Sequence, residues 1–362
     1  MAGSSLELRS PAGAFRDIEA WLEEHGFFAP GGQELVADLY LGYGLSQTIR
    51  RTRQPPPPEP CPNLPLAACD VRVDRYVVAH GNDDARRRVG AWMGDWSAAE
   101  YGAAVTHVRD AIARGDVYQV NLVQHLAASF AGSALSLAAA LAPLSPLHAA
   151  PFVGETWAIV SASPELFLAR RGRRIWTKPI KGTRPLGAAA ELGRSAKDAA
   201  EHVMIVDLER NDLSRVCEPG TVRWPELMKT QRLAGVEHMV STVEGTLRED
   251  VGLAEILEVT FPGGSVTGAP KIAAVDLIAE LEPVGRGASM GALGRVYGNG
   301  DFDLALTIRT FAIAEGRIHL WVGGGVVWDS NPAAEVEESW TKARPLLEAL
   351  GSTEQALTGM RG

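Results

Sequence analysis

Seven of the twelve residues from Gln54 to Pro65 are proline, in the run QPPPPEPCPNLP. Such a segment can be neither a helix nor a central strand, because proline lacks a backbone donor and locks φ. It reads as a linker or a surface strap. It lies in a short N-terminal region, residues 1–94, that precedes a larger unit over 95–352 and a tail over 353–362. Ahead of it, one helix is predicted around Ala14 to His25. After it, Val71 to Ala79 alternates like a strand.

From Trp96 onward the local signals sharpen. Ser97-Ala98-Ala99-Glu100 is a capping box, apolar residues follow at helical spacing, and Gly115 stops that helix. A strand is predicted over Val117 to Phe130. Further helices are expected at Arg194–Val216, Ala269–Leu281 and from Ser330-Asn331-Pro332 to about Leu350. Strand-like runs lie at Glu165–Ala169, Ala305–Ala314 and Arg317–Val327. Strands and helices mix without regular alternation, which predicts an α+β fold and argues against a doubly wound sheet. No dinucleotide fingerprint or phosphate-binding lysine loop is present.

Composition narrows the function classes. The chain is 46% hydrophobic and 22% charged, as in soluble globular proteins, and no run approaches a membrane span. Its net charge of −9 argues against a nucleic-acid or anionic-membrane partner. Cys61, Cys69 and Cys217 form neither a disulfide framework nor a zinc spacing, and no secretory leader is evident, so a cytoplasmic location is expected.

Lysine is scarce, with 6 against 29 arginines, so its positions carry information. Arginine holds its proton, whereas an ammonium can lose one and act as a nucleophile. Lys181 stands in the run Lys178-Pro179-Ile180-Lys181-Gly182-Thr183. Asp198 and Glu201 are three apart on one predicted helix, and Glu335 and Glu338 have the same spacing on another, with Lys342 on the same face. Two such faces, if they meet, suit a hard divalent cation such as Mg²⁺. Acidic pairs at this spacing also occur on solvated helix faces. The Gly263–Lys271 turn opens a helix whose free N–H groups suit an anion. Three glycines, Gly323 to Gly325, interrupt an apolar strand, a mark of close approach by a ligand or backbone. Arg309 puts a charge inside a strand-like run, either paired in the core or reaching for a carboxylate.

These stretches, with Gly115–Leu122, Ser163-Pro164-Glu165 and Glu201–Asp212, resemble the chorismate-utilising enzymes in order and spacing over roughly residues 95–350. That family includes anthranilate synthase large subunits, aminodeoxychorismate synthase component I, and isochorismate and salicylate synthases. The resemblance implies two packed β-sheets with helices outside. It implies Glu201 and Glu338 as direct Mg²⁺ ligands, with Asp198 and Glu335 acting through water. Arg309 and the backbone of Gly323, Gly324 and Gly325 would clamp the enolpyruvyl carboxylate. Ser265, Thr183 and His238 would line the ring pocket, Lys342 would lie near the metal-bound carboxylate, and Glu165 would be the general acid. A dianionic substrate with a poor leaving group needs such cations and such a proton donor.

Within the family, water-using members carry a lysine where this chain has Gln119. Anthranilate synthases usually carry alanine where it has Lys181. Lysine there resembles aminodeoxychorismate synthase component I, in which it attacks ring carbon 2 before ammonia adds at carbon 4. This implies a Lys181 amine free near neutral pH, favoured by nearby Mg²⁺ and Lys178. Cys217 lacks the surroundings of a glutaminase nucleophile, so ammonia is expected from a separate glutamine amidotransferase subunit. Anthranilate synthase and a non-catalytic chorismate-binding paralogue are the alternatives. The chain lacks a clear copy of the element linked to tryptophan binding, and it carries Ser289 where relatives often have an aromatic.

Overall fold

The computed structural model describes residues 4–73, 87–185, 187, 196–233 and 236–352, with the side chains of 33, 73, 183–185, 196–198, 233 and 236 outside that description. Two antiparallel sheets form the frame. The first has ten strands, in the order Ser4–Leu8, Ala67–Val73, Leu35–Leu41, Ala292–Tyr297, Phe302–Leu306, Leu166–Arg171, Arg174–Lys178, Val236–Thr246 and Ile180–Pro185, with Arg223–Leu233 also paired to Val236–Thr246. Strands from before the proline-rich segment and from after residue 290 thus lie side by side. Leu39 pairs with Gly294 and Asp38 with Arg295.

The second sheet has eight strands. Its spine is the ladder between Gln119–Ala131 and Arg317–Val326, running from Arg317 opposite Ser129 to Val326 opposite Val120. Side chains alternate across it, as the pleat requires. Ile318, Leu320 and Val322 pack with Leu137, Leu141, Leu346 and Leu347 of the helices Ala134–Leu141 and Pro332–Ala349. Trp321 and Leu122 belong to the larger cluster shared with Leu39, Leu293 and Leu304 of the first sheet. The sheets are therefore packed, with helices outside, as expected for the α+β class.

Local signals account for the helix ends. Ser97 and Glu100 form the capping box of the helix Ala98–Arg114, closed by Gly115 at φ 81°. Asn331 caps Pro332–Ala349 by accepting from the N–H of Ala334. The helix expected at Arg194–Val216 spans Ala196–Ser214. Among the described residues, no helix is long and apolar enough to cross a membrane.

One expectation changes. The run Ala305–Ala314 is not one strand. It breaks between Phe302–Leu306 and Thr310–Ala314, because Arg309 takes the left-handed conformation at φ 50°. Of the strand expected over Val71–Ala79, Val71 to Val73 lie in the strand Ala67–Val73, and residues 74–79 lie outside the described residues. The proline-rich segment is a strap. The Gly285 N–H donates to Pro58 O at 2.8 Å and the Gly287 N–H to Glu59 Oε2 at 2.9 Å.

Arg286 is buried where the strap, the helix end and both sheets converge. It makes two bonds to Glu282, at 2.7 and 2.8 Å, and donates to Val266 O at 2.9 Å and Asn121 O at 2.6 Å. Its guanidinium also lies over the Tyr43 ring, 4.4 Å from the centroid. Removing one partner of a buried pair strands the other charge. Arg286→Ala is therefore expected to cost about 3–5 kcal/mol in urea unfolding, whereas Arg16→Ala, in an exposed pair with Glu258, costs less than about 1 kcal/mol. Equal losses would contradict this placement of the core charge.

Candidate active site

Lys181 sits on the edge strand Ile180–Pro185, where the register shifts between Lys181 and Thr183. Its side chain is 11% exposed and points inward. Nζ donates to Glu201 Oε1 at 2.8 Å and to Ser265 O at 3.4 Å. Glu201 also accepts from Gln119 Nε2 at 3.0 Å. Gln119 Oε1 is buried and has no hydrogen-bond partner among the described residues.

Glu165 lies on the other side of Ser265. Its Oε1 accepts from Ser265 Oγ at 2.8 Å and from the Ile180 N–H at 3.3 Å. Burial raises its pKa, and Lys181, Ser265, the Ile180 N–H and Arg309 oppose that only in part. A carboxyl kept from ionising in this way is suited to donate a proton. The left-handed turn of Arg309 brings its guanidinium into electrostatic range of Glu165.

The three glycines explain how two acidic helices reach one strand. A Cβ on Gly324 would lie 3.1 Å from Lys342 Nζ, 3.3 Å from Glu338 Oε1 and 3.6 Å from Glu335 Oε2. A Cβ on Gly325 would lie 2.7 Å from Glu201 Oε1. The carboxylates of the helices Ala196–Ser214 and Pro332–Ala349 thus arrive at adjacent residues of one strand. Lys342 Nζ bridges Glu338 Oε1 at 2.8 Å and Gly323 O at 2.9 Å. Glu335 is buried. Among the described residues, no three His, Cys, Asp or Glu side chains form a metal-holding group by themselves. The oxygen donors of Glu201 and Glu338 still fit a hard cation that completes its shell with water or substrate oxygens.

Other expected residues fall around this centre. His238 is buried opposite Thr183 across the sheet, and burial and Arg309 lower its pKa despite the bond it donates to the Gly182 backbone. The side chains of Thr183 and Asp198 lie outside the described residues. Ser289 is fully buried, and its hydroxyl donates to Thr307 O at 3.2 Å.

In the protein alone, Lys181 is paired with Glu201. Burial favours the free amine, but Glu201, with Glu165 and Glu209, outweighs it and raises the pKa above the ordinary lysine value. That direction favours an ammonium in the protein alone, with Nζ 2.8 Å from Glu201 Oε1. Lys178, read as a neighbour that would discharge Lys181, lies one β-strand earlier, at the end of Arg174–Lys178.

Sequence reasoning missed a second buried charge group behind the site. Lys271 Nζ donates to Asp212 Oδ2 at 2.6 Å and Thr260 O at 2.8 Å, tying the Gly-rich turn to the helix that carries Glu201. Glu209, one helical turn before Asp212, accepts from Thr177 Oγ1 at 2.9 Å. Burial pushes Glu209 up to about 8, with Glu165 and Asp212 adding to it and Thr177 and Lys271 opposing. Helical spacing from Glu201 to Asp212 carried that signal, since positions 201, 205, 209 and 212 share a face.

A carboxyl raised on folding stabilises the fold fully below its unfolded value and loses that contribution as pH climbs through the folded value. The window here runs from the ordinary 4.5 to about 8. The urea midpoint of the wild type is expected to fall more steeply between pH 5 and 9 than that of Glu209→Gln. Identical slopes would contradict the burial of this group.

A family model described as chorismate binding enzyme matches residues 39–348. Anthranilate synthase component 1 of Streptomyces coelicolor is 38% identical over 320 residues, covering 85% of this chain and 60% of that protein. Aminodeoxychorismate synthase component 1 of Klebsiella aerogenes is 41% identical over 274 residues, covering 72% of this chain and 60% of that protein. The chain thus spans about 60% of the length of these curated relatives. The crystal structure of anthranilate synthase component I from Streptococcus pneumoniae superposes with a TM-score of 0.77 at 26% identity, covering 86% of this chain and 80% of that one. With a matched stretch that includes Lys181, Glu165, Glu201, Arg309 and Glu338, the chain belongs to the chorismate-binding enzyme family.

Proposed function

We propose that this chain aminates chorismate at ring carbon 4, the reaction of an aminodeoxychorismate synthase component I, through a covalent intermediate on Lys181. One observation carries the reading. The only inward lysine on the strand Ile180–Pro185 places its amine between Glu201 and the Ser265–Glu165 pair. A nucleophile, a carboxylate and a neutral acid are thereby brought to one place.

Each group has a distinct task in this reading. Arg309 and the backbone of Gly323 to Gly325 hold one substrate carboxylate, as bidentate and backbone donors do. Glu201 and Glu338 would hold Mg²⁺, with Glu335 and Asp198 behind them. Mg²⁺ there would supply positive charge for the other substrate carboxylate and compete with Lys181 for Glu201. With Glu201 so engaged, burial would favour the free Lys181 amine, against the remaining pull of Glu165 and Glu209. Lys181 then forms a bond to ring carbon 2 as the 4-hydroxyl departs, taking a proton from Glu165. Ammonia next adds at carbon 4 and expels the lysine. Splitting one displacement into two is the gain of covalent catalysis.

Gln119 supports ammonia over water, because an uncharged amide cannot serve as the base that a water nucleophile needs. Ammonia would come from a separate glutamine amidotransferase subunit, in the cytoplasm. A second reading is supported by relatives of similar identity. Anthranilate synthase component 1 of Thermus thermophilus is 42% identical over 278 residues. That reaction aminates carbon 2 and eliminates pyruvate.

The test uses chorismate, Mg²⁺ and an ammonium salt with mass detection. The product is expected to retain the enolpyruvyl group. Lys181→Ala is expected to slow amination by about 10³-fold or more while chorismate still binds. Glu165→Gln should slow it by roughly 10²–10⁴-fold. Anthranilate as product, or full activity in Lys181→Ala, would overturn the reading.

A further inference from the structure

The proline-rich strap crosses the molecule away from the chemistry, yet it is pinned to elements that lead into it. It has no sheet partner and few backbone donors, so its attachments are side-chain and carbonyl bonds. At one end, the Arg51 N–H reaches Asp276 Oδ1 at 3.1 Å and the Thr52 N–H reaches the same oxygen at 3.3 Å. In the middle, Pro58 O and Glu59 Oε2 take the N–H groups of Gly285 and Gly287 at 2.8 and 2.9 Å. The Glu59 carboxyl fills the place that a Cβ on Gly285 would need, and Gly44 closes it from the far side. Cys61, two residues on, is buried beneath the strap.

The turn that receives Glu59 contains Arg286. The Arg286 guanidinium holds Val266 O and Asn121 O. Val266 follows Ser265, which touches both Glu165 and Lys181. Asn121 lies two residues beyond Gln119, which touches Glu201. The Asn121 N–H in turn donates to Thr267 O at 2.9 Å.

We propose that the strap is a latch closed by Glu59 on the Gly285–Gly287 turn, that ionisation of Glu59 opens it, and that opening loosens the two site-bearing segments held by Arg286. The charges around Glu59 favour this direction. Glu282 faces it from the end of the helix Lys271–Leu281, and Tyr40 from the strand Leu35–Leu41. Cys61 faces it from the strap itself, where Glu315 and Arg317 also act on the thiol, and Arg286 in the receiving turn is committed to Glu282. Burial raises the Glu59 carboxyl to about 7, with Glu282 adding and the Gly287 N–H opposing. A raised carboxyl makes the closed form strongest below 4.5, weakens it as pH rises, and gives it least support above about 7. The corresponding change in the closed-to-open ratio is on the order of 100-fold.

The experiment follows Cys61 in the full chain. A small methanethiosulfonate reagent is applied from pH 5 to pH 8, and labelling is read peptide by peptide. Each rate is divided by that of the urea-unfolded chain at the same pH, which removes the thiol's own ionisation. Cys69, buried in the strand Ala67–Val73, reports any global loosening. Expected in the wild type is a normalised Cys61 rate that rises about tenfold or more while that of Cys69 stays level. In Glu59→Gln, which keeps an acceptor for Gly287 but cannot ionise, the Cys61 rate should be flat. Hydrogen exchange at the Asn121 amide, corrected for intrinsic rates, should lose protection over the same interval in the wild type and not in the variant.

A wild-type Cys61 rate without pH dependence would overturn the latch, and that measurement needs no variant to fold. A rise that persists in Glu59→Gln, or a parallel rise at Cys69, would overturn it equally. Opening at Cys61 with unchanged Asn121 protection would overturn the coupling to the site.

Discussion

Two acidic helices can meet one strand only because that strand carries no side chains where they arrive. Gly324 and Gly325 make the room, and Glu338, Glu335 and Glu201 occupy it. Glu335 and Glu201 are largely withdrawn from water while Glu338 is half exposed, and a carboxylate withdrawn from water demands a cation, since an uncompensated buried charge costs several kcal/mol. Lys342 and Lys181 provide them in the protein alone, one for each helix. The site is thus a balance of oxygen donors and ammonium groups, and any ligand that brings its own cation redistributes the pairs.

That balance extends outward in paired layers. Lys271 and Asp212 join the Gly-rich turn to the Glu201 helix, and Arg286 and Glu282 join the same turn to the second sheet. The choice of cation follows geometry. Arg286 must serve four acceptors in one plane, which a guanidinium does and an ammonium cannot. Lys181 meets a carboxylate at the end of a slim stem, and in the proposed reaction it gives up its proton. An arginine at 181 would keep the charge and forfeit the chemistry.

Much of this was legible in the sequence where the cause is local. The capping box at Ser97 and Glu100, the Asn331-Pro332 start, and the spacing that pairs Glu335 with Glu338 are set within a few residues. The Gly323–Gly325 run correctly marked a close approach, although the approaching groups are carboxylate side chains. What the sequence hid depends on distant partners. No local pattern announces that Leu35–Leu41 pairs with Ala292–Tyr297, because that adjacency is fixed by burial against the other sheet. The hairpin of Arg223–Leu233 and Val236–Thr246 is rich in polar residues and escaped an apolar-alternation reading. Arg309 broke a strand because its backbone is turned to aim a charge inward, a local rule overridden at the site. The partner that Lys181 meets in the protein alone was hidden for a similar reason. Sequence offered Lys178 as its neighbour, and folding supplied Glu201 instead.

The central claim is that Lys181 becomes a nucleophile once Glu201 is engaged elsewhere. Peptide mass spectrometry of enzyme quenched with chorismate and Mg²⁺ in the absence of ammonia tests it directly. The account expects an adduct of chorismate less water on the peptide carrying Lys181, and none when Mg²⁺ is omitted. An adduct on another residue, or turnover on adding ammonia with Lys181 never modified, would contradict it.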